Sequence, residues 1–440
     1  MAGEVTESSA ILQARLTDTE NDQRVSWRSG VLNFEVSSSS DFTSSSFGPD
    51  LVNSGSEDGI VKYKLRGLKS GQTYYYRAHY GLKSSSDFVS KIGKFRTLQG
   101  IKGNKAASFC VFSCLGYEQF YQRAIRGTTI YQGPDAALGY PVLETMLKLD
   151  PDFAVGTGDI VYYDQIARPH AKTAEEMRRL WHEQAILPRM KRFVSNVATY
   201  WQKDDHDYRF NDSSPHSAGE PSEELGRKIF EEQLPFPEYN KEHPYRTFRV
   251  SNDIQIWLTE GRDFRSPNSA VDGPDKSIWG MEQRKWLMQT LKTSNALHKV
   301  VINPTPLVGP DYKSKSDNHV NYDGFRYEGD LFRQFLQDNK LTEQVTLVCG
   351  DRHWPYYSIS PEGIHELCAG TATEGNVESN LPRPGSKNST DPKGRIDQRW
   401  IGLNQLASFI HIQQLANGAP ILFRILSSKG KLLYTFSRTG

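Results

Sequence analysis

The stretch Phe153-Ala154-Val155-Gly156-Thr157-Gly158-Asp159-Ile160-Val161-Tyr162 decides the fold of this 440-residue chain. It begins with a short apolar run, which is typical of a buried strand, and passes directly into a glycine, a carboxylate and a phenol. On its own, a Gly-Asp pair after a strand is more often a turn or a helix cap than a metal ligand. A functional role for this pair is indicated only because similar polar groups follow other predicted strands of the chain.

Similar apolar runs alternate with helical patterns from Ala107 onward, which is typical of an α/β domain. The predicted strands are Phe109–Phe112, Phe153–Val155, Asn196–Thr199, Ile254–Leu258, Lys299–Ile302 and Val345–Val348. The predicted helices lie near Pro141–Leu149, Thr173–Leu180, Met281–Thr290 and Leu331–Gln337. The C-terminal part returns to β-like alternation, with a strand at Phe409–Gln413 and a predicted hairpin through Ser427-Ser428-Lys429-Gly430.

The N-terminal part of the chain has an all-β pattern. Alternating stretches such as Ser9–Leu16 and Tyr74–Tyr80 are separated by Ser/Gly/Asp clusters. The segment from Leu65 to Arg77 resembles the fibronectin type III pattern, in which a leucine-bearing turn leads into a strand that carries a tyrosine. We therefore expect two domains, a fibronectin type III-like β-sandwich over residues 1–99 and a larger α/β domain over residues 107–440.

Composition narrows the class of protein. Hydrophobic content of 37% and charged content of 24% fit a globular chain rather than a disordered one. The balance of 53 basic and 52 acidic residues argues against nucleic acid as a main partner. No apolar run is long enough to predict a membrane span, and the first residues lack the pattern of a signal peptide. Four cysteines are too few for a disulfide framework.

Polar and charged side chains follow five apolar runs, at the point where each run ends. Because ligands of α/β sheets bind outside the carboxyl ends of the strands, we expect these groups to meet at one rim. Carboxylate, imidazole, phenolate and thiolate groups together suit a trivalent and a divalent cation, and neighbouring arginines suit a bound anion. The groups are Ser113-Cys114, Asp159 with Tyr162, Asp204-Asp205-His206-Asp207, Arg262 with Arg265, and Asp351-Arg352-His353.

As a set, these motifs resemble the alkaline phosphatase D (PhoD-like) family of the calcineurin-like metallophosphatase superfamily, with purple acid phosphatases as more distant relatives. The segment from Gly158 to Tyr162 matches the family's Gly-Asp-x-x-Tyr motif, and the segment from Gly350 to His353 matches Gly-Asp-x-His. Cys114 lies at a strand end where this family uses a cysteine as an iron ligand. The segments Asp204–Asp207 and Gly261–Ser266 are similar to two further family motifs.

The resemblance implies a four-layer α/β/β/α metallophosphatase sandwich over residues 107–440. It also implies hydrolysis of phosphate esters by a metal-activated hydroxide, with inorganic phosphate as a product. In that family pattern Fe3+ and Ca2+ share the bridging Asp159, His206 contacts or protonates the reacting group, and the two arginines stabilise negative charge. The implied catalytic residues are His206, Arg262 and Arg265, and the implied metal ligands are Cys114, Asp159, Tyr162, Asp205, Asn211, Asp351 and His353.

One departure from the superfamily pattern concerns the second metal. The usual Val-x-x-His is replaced here by Val300-Val301-Ile302-Asn303, which offers an amide oxygen instead of an imidazole. Oxygen donors favour a harder ion such as calcium, with zinc, manganese or magnesium left open.

Three alternatives remain open at the level of sequence. The same site could serve phosphodiesters, including phospholipid head groups, as in a phospholipase D-like enzyme. A carbohydrate-active enzyme with two carboxylates and a β-domain as binding module is a different class, as is a non-catalytic binding protein. Family habit implies export to the periplasm or outside the cell, with a cytoplasmic location not excluded, and the oligomeric state stays open.

Overall fold

The computed structural model describes residues 1–18, 26–53, 57–85, 87–122, 130–236, 244–375, 380–403 and 407–439. The N-terminal strands are β1 (Ala2–Gly3), β2 (Ser9–Arg15), β3 (Thr17–Asp18), β4 (Ser26–Trp27), β5 (Gly30–Ser37), β6 (Ser45–Phe47), β7 (Leu51–Asn53), β8 (Ile60–Arg66), β9 (Thr73–Gly81), β10 (Phe88–Val89) and β11 (Gly93–Arg96).

The α/β part of the chain contains thirteen further strands and eight α-helices within the described residues. Its strands are β12 (Ala107–Phe112), β13 (Phe153–Gly156), β14 (Ala198–Trp201), β15 (Arg246–Arg249), β16 (Ile254–Leu258), β17 (His298–Asn303), β18 (Val345–Cys349), β19 (Pro355–Ile359), β20 (His365–Ala369), β21 (Asp397–Ile401), β22 (Ser408–Gln414), β23 (Ile421–Ser427) and β24 (Leu432–Arg438). Its helices are α1 (Tyr117–Tyr121), α2 (Pro141–Lys148), α3 (Ala174–Ala185), α4 (Pro188–Asn196), α5 (Asp205–Tyr208), α6 (Glu223–Gln233), α7 (Gly280–Thr293) and α8 (Arg326–Asp338).

Two large sheets form the centre of the molecule. The nine-stranded sheet has the order β24-β23-β22-β12-β13-β14-β1-β2-β8, and β12, β13 and β14 in its middle are parallel. The seven-stranded sheet has the order β15-β16-β17-β18-β20-β19-β21, with β16, β17, β18 and β20 parallel. Parallel neighbours end on the same edge of a sheet, so each sheet gathers several chain segments at its carboxyl edge.

The two sheets pack face to face, and helices cover their outer faces. Because alternate residues of a strand point to opposite sides, Val111 and Val300 lie in the core between the sheets, whereas Phe112 and Val301 face helices. Helices α2, α3, α4 and α6 contribute to the core on the nine-stranded sheet, and α7 and α8 to the core on the seven-stranded sheet. The structure therefore confirms the four-layer α/β/β/α sandwich.

The N-terminal β-rich region is confirmed. Among its described strands, β3 and β4 form a two-stranded sheet, and six others form a larger separate sheet. That sheet has the order β10-β9-β5-β6, with β11 also paired to β9 and β7 also paired to β5. Strands β1, β2 and β8 instead extend the nine-stranded sheet, through the parallel pairing of Gly3 with Thr199. A side chain at Gly3 would lie 2.6 Å from the Thr199 carbonyl oxygen. The division at residues 99 and 107 stays a prediction.

The elements predicted in the α/β part agree with the structure except for shifts at their ends, but the prediction omitted helices α1, α4, α5 and α6 and strands β15, β19, β20 and β21. The strand predicted at Asn196–Thr199 lies two residues further along, as β14. The residues before it form helix α4, which begins at Pro188 and buries Met190, Phe193 and Val194. This spacing and a proline in the first turn are helix signals, although basic residues interrupt the apolar pattern. No helix in the described parts of the chain is long and apolar enough to cross a membrane.

We expect Ile256→Ala to lower the free energy of unfolding by about 2–5 kcal/mol, because it leaves a cavity in the core between the sheets. Ile256 has no exposed surface there. Val271, which is 90% exposed, provides the matched control, and Val271→Ala should change stability by less than about 0.5 kcal/mol. Urea unfolding of the two variants measures both values, and equal stabilities would contradict the packing described.

Candidate metal centre

The proposed ligands meet where the central parallel strands of both sheets end. Cys114 follows β12, Asp159 follows β13, Asp205 follows β14, and Asp351 follows β18. Cys114, Asp159 and Asp351 all adopt left-handed backbone conformations, with φ of 60°, 59° and 61°. Such conformations are uncommon for residues other than glycine and concentrate at functional sites, where surrounding contacts must hold them in place.

Backbone contacts between the strand ends hold these turns. The Cys114 N–H donates to the Gly158 carbonyl at 3.2 Å, and the Leu115 N–H donates to the Asp159 carbonyl at 2.8 Å. The Cys114 carbonyl accepts hydrogen bonds from the hydroxyls of Thr371 and Thr373. The turns that carry the Cys114 thiol and the Asp159 carboxylate are thus fixed to each other.

Two glycines allow the strand ends to approach this closely. Gly158 has φ of 102°, and a side chain on it would lie 2.5 Å from Cβ of Asp204. A side chain on Gly350 would lie 2.2 Å from the Thr157 hydroxyl oxygen. Lack of space for a side chain explains why a glycine precedes the carboxylate at both strand ends, and at Gly158 the positive φ adds a conformational reason.

Asp159 is common to three groups of side chains that could hold a cation. In each group the candidate ligand atoms lie within 4.8 Å of one another. The Asp159 carboxylate also lies 3.5 Å from the Cys114 sulfur and 3.2 Å from the Tyr162 hydroxyl. The groups are Cys114, Asp159 and His353; Asp159, Asp205 and His206; and Asp159, Asp204 and Asp351.

The electrostatics of this cluster fit bound cations. Burial raises the pKa of Asp159 well above the ordinary carboxyl value, and the nearby carboxylate of Asp205 adds to the rise. Asp159 Oδ1 and Asp204 Oδ2 are buried without a hydrogen-bond partner among the described residues. Buried carboxylates are normally paired or coordinate metals. A cation between them would supply the missing partner, and the donor set of carboxylate, thiol, phenol and imidazole fits metal ions.

His206 is oriented by Asp164. Its Nδ1 lies 2.6 Å from Asp164 Oδ1, and its ring stacks on Tyr162 with ring centroids 4.3 Å apart. Burial lowers the pKa of His206, but the carboxylates of Asp164 and Asp205 outweigh it and raise the pKa well above the ordinary value. These carboxylates favour the protonated imidazole, which is the form that a proton donor requires.

The two predicted arginines differ in position. Arg262 lies in the cluster and is 1% exposed; its guanidinium pairs with Asp204 and lies 3.7 Å from Asp205. Burial opposes its charge, but Asp204 outweighs burial and raises the pKa of Arg262. Arg265 is also buried, but it bonds to Asn268 and to the Asp317 carbonyl and stacks over Phe325. The structure brings only Arg262 into contact with a proposed ligand.

Two asparagines lie elsewhere than the sequence suggested. Asn211 is exposed, and its N–H donates to Asp164, so its part as a ligand stays a prediction. The next residue, Asp212, contacts the cluster instead, with its N–H 2.6 Å from Asp205 Oδ2. The Asn303 amide oxygen accepts hydrogen bonds from Thr259 and Trp279 in the core. Because the Asn303 oxygen already accepts these two hydrogen bonds, it does not support the prediction that an amide oxygen at this position selects calcium.

Sequence reasoning missed several residues of the site. Asp204 belongs to the cluster, and its place in the quoted Asp-Asp-His-Asp segment was the available signal. Asp207 accepts from the N–H groups of Ile160 and Asp204, so it positions both neighbouring turns. Asp164 lies only two residues after Tyr162, but its contact with His206 spans 42 residues and has no local signature.

Gln184 on α3 ties the first two strand ends to the helix layer. Its side-chain amide donates to the carbonyls of Leu115 and Ile160 at 2.6 and 2.7 Å. Its oxygen accepts from the Tyr140 hydroxyl at 2.9 Å. These carbonyls belong to the residues that directly follow Cys114 and Asp159, so a single buried side chain fixes both turns.

We expect Gln184→Leu to lower the free energy of unfolding by about 2–5 kcal/mol, because two buried carbonyls lose their donor. The bound metal per chain should fall as well, because both turns loosen. Urea unfolding and elemental analysis measure the two effects. Gln289→Leu on the exposed face of α7 is the control and should change neither quantity. Unchanged stability and metal content in Gln184→Leu would disprove the positioning role.

The four-layer sandwich, with a carboxylate-rich cluster at its strand ends, is that of a metal-dependent phosphoesterase, a hydrolase. The chain belongs to the PhoD-like phosphatase family. The sequence profile of that family matches residues 109–405, and the profile of the PhoD-like phosphatase N-terminal domain matches residues 1–99. No curated protein matches the chain by sequence.

Two solved structures share this architecture over the whole chain. The structure of PhoD superposes with a TM-score of 0.74 at 17% identity and covers 100% of this chain and 92% of its own. The purple acid phosphatase PPD1 from yellow lupin (Lupinus luteus) seeds has a TM-score of 0.66 at 12% identity, with 100% of this chain and 73% of its own covered. At these identities the likeness shows the fold alone.

Proposed function

We propose that this chain hydrolyses phosphate esters at a two-cation centre bridged by Asp159. The observation that supports this most is the membership of Asp159 in all three groups of candidate ligands. Cys114, Tyr162 and His353 would hold the first cation with Asp159, and Asp205 and Asp351 would hold the second. Asp204 lies within the same cluster, but its pairing with Arg262 commits one of its oxygens.

The donor chemistry supports iron(III) and calcium as the two ions. A thiolate, a phenolate and an imidazole around the first position suit a transition metal, whereas carboxylates at the second suit calcium. Bound cations supply Lewis-acid stabilisation of the phosphoryl group and lower the pKa of coordinated water towards neutrality. Without a cation, burial and then Asp159 raise the pKa of the Cys114 thiol, so metal binding must displace its proton.

The side chains around the centre divide the remaining tasks. Arg262 offsets the carboxylates of Asp204 and Asp205, and it would stabilise negative charge that develops on the phosphoryl oxygens. His206 lies next to the cluster and would donate a proton to the leaving oxygen. Asp164 keeps the imidazole in position through Nδ1. Arg265 would have an indirect role, because its guanidinium donates to the Asp317 carbonyl and so helps to position the loop that contains Asp317.

The substrate and setting are part of the same proposal. A phosphate ester would be cleaved with inorganic phosphate as one product when the substrate is a monoester. The near-neutral charge balance supports a small ester rather than a nucleic acid as substrate. We place the mature chain in the periplasm or outside the cell, as the family resemblance implies.

Asp159→Asn should lower kcat/KM on 4-nitrophenyl phosphate by about three orders of magnitude or more, because several kcal/mol of charge stabilisation depend on the two ions. The fold should remain, since the amide has the same size as the carboxylate. Asp275→Asn, at an exposed position, is the matched control and should retain full activity. Near-normal turnover by Asp159→Asn at normal stability would refute the bridging role.

Stripping the metals should abolish the activity, and restoring iron and calcium together should recover it, because the protein supplies no alternative Lewis acid. A glycosidase that uses two carboxylates would keep its activity after chelation, so this experiment also tests the alternative class. Visible absorption gives a second readout, since phenolate bound to iron(III) absorbs visible light. Tyr162→Phe should lose this band, and a colourless, iron-free but fully active enzyme would overturn the iron assignment.

A further inference from the structure

A loop that follows β17 carries a lysine to the edge of the metal cluster. Its base is fixed by Asp311, whose Oδ2 accepts from Asn318 and Asn321 at 2.7 and 3.1 Å. The Arg352 guanidinium donates to both oxygens of Asp311 at 3.0 and 3.1 Å. Since Arg352 follows the proposed ligand Asp351 directly, the loop is tied to the metal centre, and Lys315 lies within this tied segment.

The Lys315 ammonium is linked to the two carboxylates proposed for the second cation site through one residue on the side of Asp205 and two on the side of Asp351. Its Nζ is 3.8 Å from Asp212 Oδ1, and the Asp212 N–H donates to Asp205. The same Nζ is 3.4 Å from Asp317 Oδ2, which also pairs with Arg352 at 3.2 Å. Arg352 in turn pairs with Asp351. A cation at this position faces the same region as Asp205 and Asp351.

Lys315 is also the most accessible of the Lys and Arg side chains around the described part of the cluster. Its side chain is 33% exposed, compared with 1% for Arg262 and 3% for Arg352. Its contacts of 3.4 and 3.8 Å are longer than the roughly 2.7–2.9 Å of a committed charge-assisted hydrogen bond. The Lys315 side chain is therefore held less tightly than the two arginines, and a substrate would compete with Asp212 and Asp317 for its ammonium.

Phosphate monoesters and diesters differ in charge, and therefore in how strongly they interact with a lysine at this position. A phosphate monoester has three terminal oxygens and carries about two negative charges near neutral pH, as a phosphoryl group with a second pKa near 6 does. A diester has two terminal oxygens and a single charge. The two cations and Arg262 would neutralise part of the charge of a bound phosphoryl group, and the additional charge of a monoester calls for one more cation from the protein. An ammonium, with three donors and no fixed plane, suits a single oxygen.

We infer that Lys315 contacts the third terminal oxygen of a phosphate monoester and gives this enzyme a preference for monoesters over diesters. The inference rests on the proposed function, because it assumes phosphate-ester hydrolysis at the cluster. It assigns Lys315 to substrate binding, whereas Asp212 and Asp317 hold the ammonium at the rim before substrate arrives.

The test compares 4-nitrophenyl phosphate with bis(4-nitrophenyl) phosphate as substrates of the metal-loaded enzyme. Lys315→Met should lower kcat/KM on the monoester by about 10- to 100-fold, the range for losing a hydrogen bond to a charged group, and on the diester by less than about threefold. Lys315→Arg keeps the charge and should keep most of the preference. Lys313→Met, an exposed lysine on the same loop, should match the wild type on both substrates.

The binding of inorganic phosphate separates substrate binding from a structural role. Inorganic phosphate, a dianion with a free third oxygen, should bind Lys315→Met about tenfold more weakly in calorimetric titration, at equal metal content and melting temperature. Equal losses on the two substrates would overturn the inference, because they would show support of the site rather than recognition of charge. Unchanged monoester kinetics would also overturn it. A wild-type enzyme that is inactive on both esters would instead refute the proposed function.

Discussion

Electrostatic repulsion among buried carboxylates is the constraint on which the structure of this site depends. Asp159, Asp204, Asp205 and Asp351 meet where little water can screen them, and Arg262 is the single guanidinium in direct contact with two of them within the described residues. Like charges at such distances disfavour ionisation, so the arrangement is stable only with additional positive charge. The repulsion among these carboxylates therefore favours the binding of cations at this site.

The surrounding fold holds the carboxylates close together despite their mutual repulsion. Parallel strands of both sheets end beside one another, and the turns that follow use left-handed conformations secured by Thr371, Thr373 and Gln184. Small residues at Gly158 and Gly350 let the turns touch. Ligands placed by a packed framework have little freedom to separate, which limits the rearrangement that metal binding requires. The hydrogen bond to Asp164 holds the His206 imidazole in place in the same way.

The sequence predicted candidate site residues and helices where they belong to a short local pattern. A strand followed by glycine and a carboxylate was recognisable at Asp159 and Asp351, and the helices with clear apolar spacing were found within a few residues. The sequence could not show contacts between distant segments: Lys315 beside Asp212, Gln184 beside two strand ends, or Asn303 turned into the core. The joining of β1 to β14 was equally hidden, because register between strands that are far apart in the chain leaves no periodic trace.

The pairing of β1 with β14 has a consequence for how the chain can be divided. β14 leads directly into Asp204 and Asp205, and β1 is the neighbour that satisfies its outer edge. Arg246 strengthens the junction by bonding to Glu4 and to the Trp201 carbonyl. An excised α/β portion would expose an open strand edge next to its own reaction centre, and open edges invite intermolecular pairing and aggregation. The N-terminal segment that contains β1 is therefore a structural part of the α/β portion. A truncated chain would need this segment to keep β14 paired.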